Sequence, residues 1–215
     1  MQTTLRFLIL LPALAAASSS LVGQSGHLGQ FDGHGDVGGP AITGSATYNA
    51  ASQEYTVAAG GVNMWGTRDE FHFVWKRMTG DFILEARVQF LGKGVNAHRK
   101  AGLIVRPTQD ADAPYVDGVV HGDGLTSLQF RRAKGAITEE RAAAMKGADV
   151  LQLERKGNTY TFSAAKSGDP ITTTEISDIA LGDDVFVGLT LCSHDASVME
   201  RAIFRDVRIG PAKDR

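Results

Sequence analysis

The sequence predicts an all-β protein: two antiparallel sheets packed face to face as a sandwich or jelly roll. Three observations predict it. Apolar and polar residues alternate with a period of two in run after run from Ser45 to Ile209, the pattern of strands that bury one face. The runs are short and rich in Val, Ile, Phe and Thr, and clusters of Gly, Asp and Asn separate them, as strand ends and hairpin turns require. The 215-residue chain is 43% hydrophobic with one Cys, so it has core material but no disulfide framework.

Taken in order, residues 1–20 read as a secretory signal peptide. Arg6 supplies the positive charge, Phe7 to Ala17 is an apolar run, and Ala15-Ala16-Ala17 offers small residues for cleavage. The run falls short of the ~20 apolar residues that a membrane-spanning helix needs. The expectation is export, to the periplasm or outside the cell, with no membrane insertion after cleavage. Cys192 closes an apolar run from Val185 and reads as buried and inert. The remainder, residues 24–211, reads as one sandwich domain.

Gly23 to Gly39 is Gly-rich, but Phe31 and Asp36-Val37-Gly38 suggest an opening strand. The clear runs follow: Tyr55–Ala58, Glu70–Lys76, Phe82–Leu91, Ala101–Arg106, Tyr115–His121, Leu125–Arg132, Val150–Arg155, Thr159–Ala165, Val185–Cys192 and Ala202–Ile209. Thr79-Gly80-Asp81, Gly122-Asp123-Gly124 and Leu181-Gly182-Asp183-Asp184 divide them, and Lys156-Gly157-Asn158 makes a hairpin. Ile137 to Lys146 alone looks helical, although a strand over Ala136–Glu140 followed by a loop fits as well.

Several strands pair an apolar face with one that mixes His, Arg, Asp and Gln. Leu103 and Val105 oppose Gly102, Ile104 and Arg106; Val116, Gly118 and Val120 oppose Asp117 and His121; Leu128 and Phe130 oppose Gln129 and Arg131. In Glu70–Lys76, Phe71, Phe73 and Trp75 oppose His72 and Lys76, which puts the aromatics on the core side and His72 on the polar side. Planar donors and imidazoles beside small residues suit recognition of a polar ligand; an ordinary solvated face is the plain alternative. Asn63-Met64-Trp65, just ahead of a strand, makes Trp65 either a stacking platform for a sugar or a core plug.

Chemistry narrows further by exclusion. A formal net charge of -2 lacks the basic stripe of a nucleic-acid binder. No GxSxG, HExxH, GxxxxGK[ST] or dinucleotide fingerprint occurs. Glu139 and Glu140 point to opposite faces of an extended chain, and Glu85 and Glu154, which could face inward, lack same-face acidic neighbours, so no glycosidase pair is visible. His121-Gly122-Asp123-Gly124 offers a His and a carboxylate near glycines, or simply a polar hairpin turn. Asp117 shares a strand face with His121 and allows an acid/base pair. No cofactor is implied, except calcium, which could be held by Asp32 and Asp36 in Phe31-Asp32-Gly33-His34-Gly35-Asp36.

Trp65-x-x-x-Asp69-x-Phe71-x-Phe73, Gly80-Asp81-Phe82, Ala86-Arg87-Val88, Arg99-Lys100-Ala101-Gly102, His121-Gly122-Asp123-Gly124 and Leu153-Glu154-Arg155 together resemble the concanavalin A-like lectin/glucanase superfamily. Within it, the chain is similar to the laminin-G-like jelly-roll module that accompanies TolB-type β-propellers in bacterial secreted proteins. The resemblance covers Phe31 to Gly210. It implies two packed sheets, one concave, with glycans bound on that face or its rim. The propeller is absent, and so is the acidic E-x-D-x-x-E strand of the glucanases. The expectation is a secreted glycan-binding module that leans away from catalysis. Trp65, His72, Arg106, Asp117, His121, Gln129, Arg131 and His194 are its expected ligand-binding residues. A sugar hydrolase or lyase using His121 and Asp117, and an envelope module binding a protein partner, are the alternatives.

Overall fold

A computed structural model describes residues 28–212. Every regular element among them is a strand: β1 (Gly33–Val37), β2 (Ser45–Asn49), β3 (Glu54–Ala59), β4 (Met64–Trp65), β5 (Arg68–Asp69), β6 (Phe71–Thr79), β7 (Phe82–Leu91), β8 (Lys100–Arg106), β9 (Tyr115–His121), β10 (Leu125–Arg131), β11 (Glu139–Lys146), β12 (Val150–Lys156), β13 (Thr159–Ala165), β14 (Thr172–Ile176), β15 (Asp184–Cys192) and β16 (Glu200–Pro211). They form two seven-stranded sheets. The first has the order β1-β6-β15-β8-β9-β10-β11 and the second β14-β13-β12-β7-β16-β3-β2, and a small β4–β5 ribbon stands apart. All pairings are antiparallel. The fold is the expected all-β, two-sheet antiparallel jelly-roll sandwich.

The main core lies between the sheets. Leu103, Val105, Val116, Leu128, Phe130 and Leu189 from the first sheet meet Val57, Leu84, Leu153, Phe162 and Phe204 from the second. Hydrophobic burial on the inward parity of each strand is the dominant stabilisation. Gly118 lies on that parity, and a Cβ there would strike the Phe162 ring.

A second, smaller apolar cluster covers the opposite face of the first sheet. It joins Val37, Met64, Phe71, Phe73, Ile104, Tyr115 and Cys192, with Trp75 and Phe186 packed on it. This corrects the reading of β6. Phe71 and Phe73 turn away from the second sheet, and His72 and Val74 turn toward it, opposite Leu191 and Leu189 of β15. A period-two apolar run shows that one face is buried; here the β4–β5 ribbon buries the outer one.

Residues 139–146 also differ from the helical expectation. Pairing with the open edge of β10 makes them a strand, with a register shift between Leu125 and Ser127. Unpaired backbone groups on an edge outweigh the helix preference of an Ala-rich run. Glu85 and Glu154 point away from the sandwich: Leu84, Ala86 and Leu153 hold the inward positions. The expected signal segment lies outside the described residues.

Candidate functional site

The outer face of the first sheet is divided in two along its strands, and the β4–β5 ribbon makes the division. The ribbon is pinned by charge. Asp69 Oδ1 accepts from Arg131 Nη2 at 2.7 Å, and Oδ2 accepts from Arg131 Nη1 at 2.8 Å and Arg106 Nη2 at 3.4 Å. All three side chains are buried. Burial pulls the Asp69 carboxyl upward and the two guanidiniums oppose it. Arg131 also donates to the carbonyls of Gly66 and Ala113, and Arg106 to that of Asp110 at 2.6 Å. The Arg131 guanidinium, expected to meet sugar hydroxyls, is taken up in holding the ribbon, whereas Arg106 reaches the ribbon only through Nη2 and keeps Nε and Nη1 buried without a partner. Arg106 and Arg131 are fully buried and do not line the pocket on the open half of this face.

The half left open is a pocket of about 240 Å³ lined by Asn63, Trp65, His98, Lys100, His121, Leu125, Gln129, Glu140 and His194. Four of the expected residues meet there: Trp65, His121, Gln129 and His194. Trp65 is 39% exposed, so the ribbon presents it as a wall of the pocket instead of sealing it into the core.

The turn after β9 carries His121. Asp123 Oδ1 accepts from Leu125 N at 2.9 Å, Gly124 takes φ of 87°, and the chain reverses into β10. So His121-Gly122-Asp123-Gly124 is a hairpin turn, and it delivers His121 to the pocket floor. Its Nδ1 lies 2.9 Å from the Leu125 carbonyl. A carbonyl only accepts, so Nδ1 carries the hydrogen and Nε2 keeps a lone pair. Burial lowers the His121 pKa to about 4; the ring is neutral at neutral pH.

Gln129 sits beside it, opposite Glu140 across the β10–β11 pair. Its amide nitrogen donates to Glu140 Oε1 at 2.9 Å and lies 3.5 Å from His121 Nε2. Its oxygen is buried with no partner in the protein. Lys100 Nζ donates to Asn63 Oδ1 at 3.0 Å and to the Met64 carbonyl at 2.9 Å, 5.4 Å from the centre of the Trp65 ring. Asp117 is completely buried, does not line the pocket, and has no hydrogen bond on either carboxylate oxygen. Burial pushes Asp117 well above the usual carboxylate range and pulls Lys100 down, each partly opposed by the other.

The histidine side of the pocket is supported from below. Arg99 Nη1 donates to Glu200 Oε2 at 2.6 Å in a buried ion pair. Asn96 ties the loop down by donating to the His194 carbonyl and accepting from His98 N. His98 then lies between two other imidazoles, with ring centres 5.5 Å from His194 and 6.2 Å from His121.

His72 is not part of this site. It stands on the other face of the first sheet, where Nδ1 meets Asp36 Oδ1 at 2.6 Å and Nε2 meets His34 Nδ1 at 2.9 Å. Asp36 accepts from Gly44 N as well, and Asp32 accepts from Arg77 N at 2.8 Å. The two expected calcium carboxylates thus serve separate donors. No cluster of three or more His, Cys, Asp or Glu suited to a metal ion occurs among the described residues.

Lys100, Glu140, His98 and Asn63 line the pocket but stand outside the ligand-binding set expected from the sequence. Lys100 was within reach: extending the Gly102, Ile104, Arg106 parity by one step places it on the site face. Glu140 was not, because only the pairing of β10 with β11 brings it to Gln129.

No protein-family model and no curated protein matches the chain. Solved structures do. A functionally unknown protein from Saccharomyces cerevisiae superposes with a TM-score of 0.61 at 15% identity, covering 79% of this chain and 93% of that one. A legume lectin-like domain from Entamoeba histolytica gives 0.53 at 9%, covering 79% and 88%. The alginate lyase from Klebsiella pneumoniae gives 0.51 at 10%, covering 79% and 85%. At these identities the likeness is one of fold.

Proposed function

We propose that the protein is an exported carbohydrate-binding sandwich that recognises a glycan in the pocket walled by Trp65 and does not cleave it. One observation carries the reading: an exposed indole stands over a floor of buried polar groups, Lys100, His121 and Gln129, with Glu140 beside them. The apolar face of a sugar ring packs on an aromatic plane while its hydroxyls need both donors and acceptors. This pocket supplies all three. Sandwich relatives in fold include a lectin-like domain, a carbohydrate-binding module and alginate lyases, which agrees with a saccharide ligand. Export rests on the character of residues 1–20.

The catalytic alternative needs an acid partner for His121. Asp117 was that partner by strand parity, but it lies outside the pocket lining. The test is incubation of the purified protein with soluble and insoluble polysaccharides, reading protein depletion and newly released reducing or unsaturated ends. Depletion without release is expected. Release overturns the non-catalytic assignment; absence of both signals overturns the glycan assignment.

A further inference from the structure

We propose that this pocket takes a single sugar residue, the exposed end of a glycan, and not a stretch within a chain. The inference rests on the glycan reading above and adds the form of the ligand.

Its first support is how the lining is joined. His194 neighbours His98 (5.5 Å between ring centres), His98 neighbours His121 (6.2 Å), His121 neighbours Gln129 (3.5 Å), and Gln129 bonds Glu140 (2.9 Å). Lys100 links Asn63 and Trp65 on the ribbon side. Five of the nine lining groups are thus joined side by side in one run, and three more meet at Lys100.

The second support is size. The pocket holds about 240 Å³, below the ~300–1,000 Å³ usual for drug-sized ligands. That is room for one pyranose or furanose ring. The face offers no second platform alongside: Trp65 is the one Phe, Tyr or Trp in the lining, and Phe71, Phe73 and Tyr115 are covered. The Asp69 anchor fixes the ribbon over the remaining half of the face.

The third support is the floor. Gln129 Oε1 is a buried acceptor with no partner in the protein, and His121 Nε2 is a second acceptor whose lone pair meets only a long 3.5 Å contact from Gln129. Unmatched buried acceptors call for donors, and the hydroxyls of one small ring supply them. A chain lying across the mouth would leave the floor unmet.

Calorimetric titration separates the possibilities. The probes are free glucose, galactose, mannose, fructose, xylose, arabinose and rhamnose, with linear oligosaccharides of each from two residues to six where these exist. The expected result is that one monosaccharide binds and that its oligomers carrying it at an exposed end bind within about threefold of it. An affinity that climbs more than about tenfold from one residue to four, with no monosaccharide bound, overturns the terminal-residue inference and leaves glycan binding intact. If none of these sugars and no polysaccharide binds, the glycan reading itself fails. The Gln129→Met variant adds a second measurement that depends on the floor: it removes the acceptor at similar volume, so monosaccharide binding should be lost while a thermal melt still shows one cooperative transition. Equal binding by Gln129→Met overturns the role given to the floor.

Discussion

At the scale of single residues, the site has two kinds of side chain. Trp65 is 39% exposed with Lys100 against its ring, so Trp65→Ala should weaken glycan binding about tenfold or more while lowering the melting temperature by only several degrees. Titration against the bound saccharide and a thermal melt check the two halves of that statement. His121 is the opposite case. Its folded pKa is about 4 against an ordinary 6.5. Between those values the unfolded chain takes a proton that the folded chain refuses. Its stabilising contribution is therefore complete above pH 6.5 and is lost as pH falls toward 4, by about 3 kcal/mol at most. His72 and His194 are also lowered by burial and add slopes of the same sign. Urea unfolding at pH 7 and pH 4.5 should show the loss, and His121→Gln should reduce it. Equal slopes in the two proteins would remove His121 as the cause. Trp65, His121, Gln129 and His194 were legible from alternation and loop position, because a parity argument finds residues on one strand face. It does not find Glu140, which needs the strand pairing. It also puts Arg106 and Arg131 on the right face without revealing that Asp69 has already claimed them.

At the scale of elements, the β4–β5 ribbon decides what the sheet can do. Six residues, Met64 to Asp69, cover half of one face, bury Met64 and hold Trp65 upright. The anchor is one carboxylate between two buried guanidiniums. Asp69→Asn removes the negative charge and leaves two cations unbalanced in a dry site, which should cost about 3–5 kcal/mol in denaturant unfolding. Saccharide affinity should fall with it, since the indole is no longer fixed. A variant of normal stability would mean that the ribbon is held by Met64 and the Gly66 carbonyl alone. The ribbon is also why β6 was misread. Its sequence signals a buried aromatic face, and the element doing the burying is too short to announce itself by periodicity. The strand β11 was obscured for a different reason: Arg141-Ala142-Ala143-Ala144 favours a helix locally, and only the free edge of β10 makes the extended form better.

At the scale of the whole molecule, two sheets approach closely because small residues permit it. Gly118 of β9 faces Phe162 of β13 across the interior. Gly118→Ala should cost about 1–3 kcal/mol through overpacking, measured as a lower urea midpoint, although Gly118 lies far from solvent and touches no ligand. No change would show that the sheets can separate locally without penalty. The overall architecture was the most legible level of the sequence. Ten alternating runs became ten of the strands, and the Gly157-Asn158 turn joins β12 to β13 as its composition implies. Short strands β2 and β14 and the ribbon escaped because two to five residues carry too little pattern.

Cys192 has a consequence of its own. It is the chain's one sulfhydryl, sealed in the outer-face cluster with its pKa pushed up to about 12 by burial. Oxidants and reductants find no covalent link to make or break in the native protein. Cohesion comes from packing, hydrogen bonding and ion pairing, with no disulfide for the ambient redox potential to act on. Thiol-reactive reagents, correspondingly, should report global unfolding and nothing else: the appearance of one reactive sulfur counts molecules that have opened.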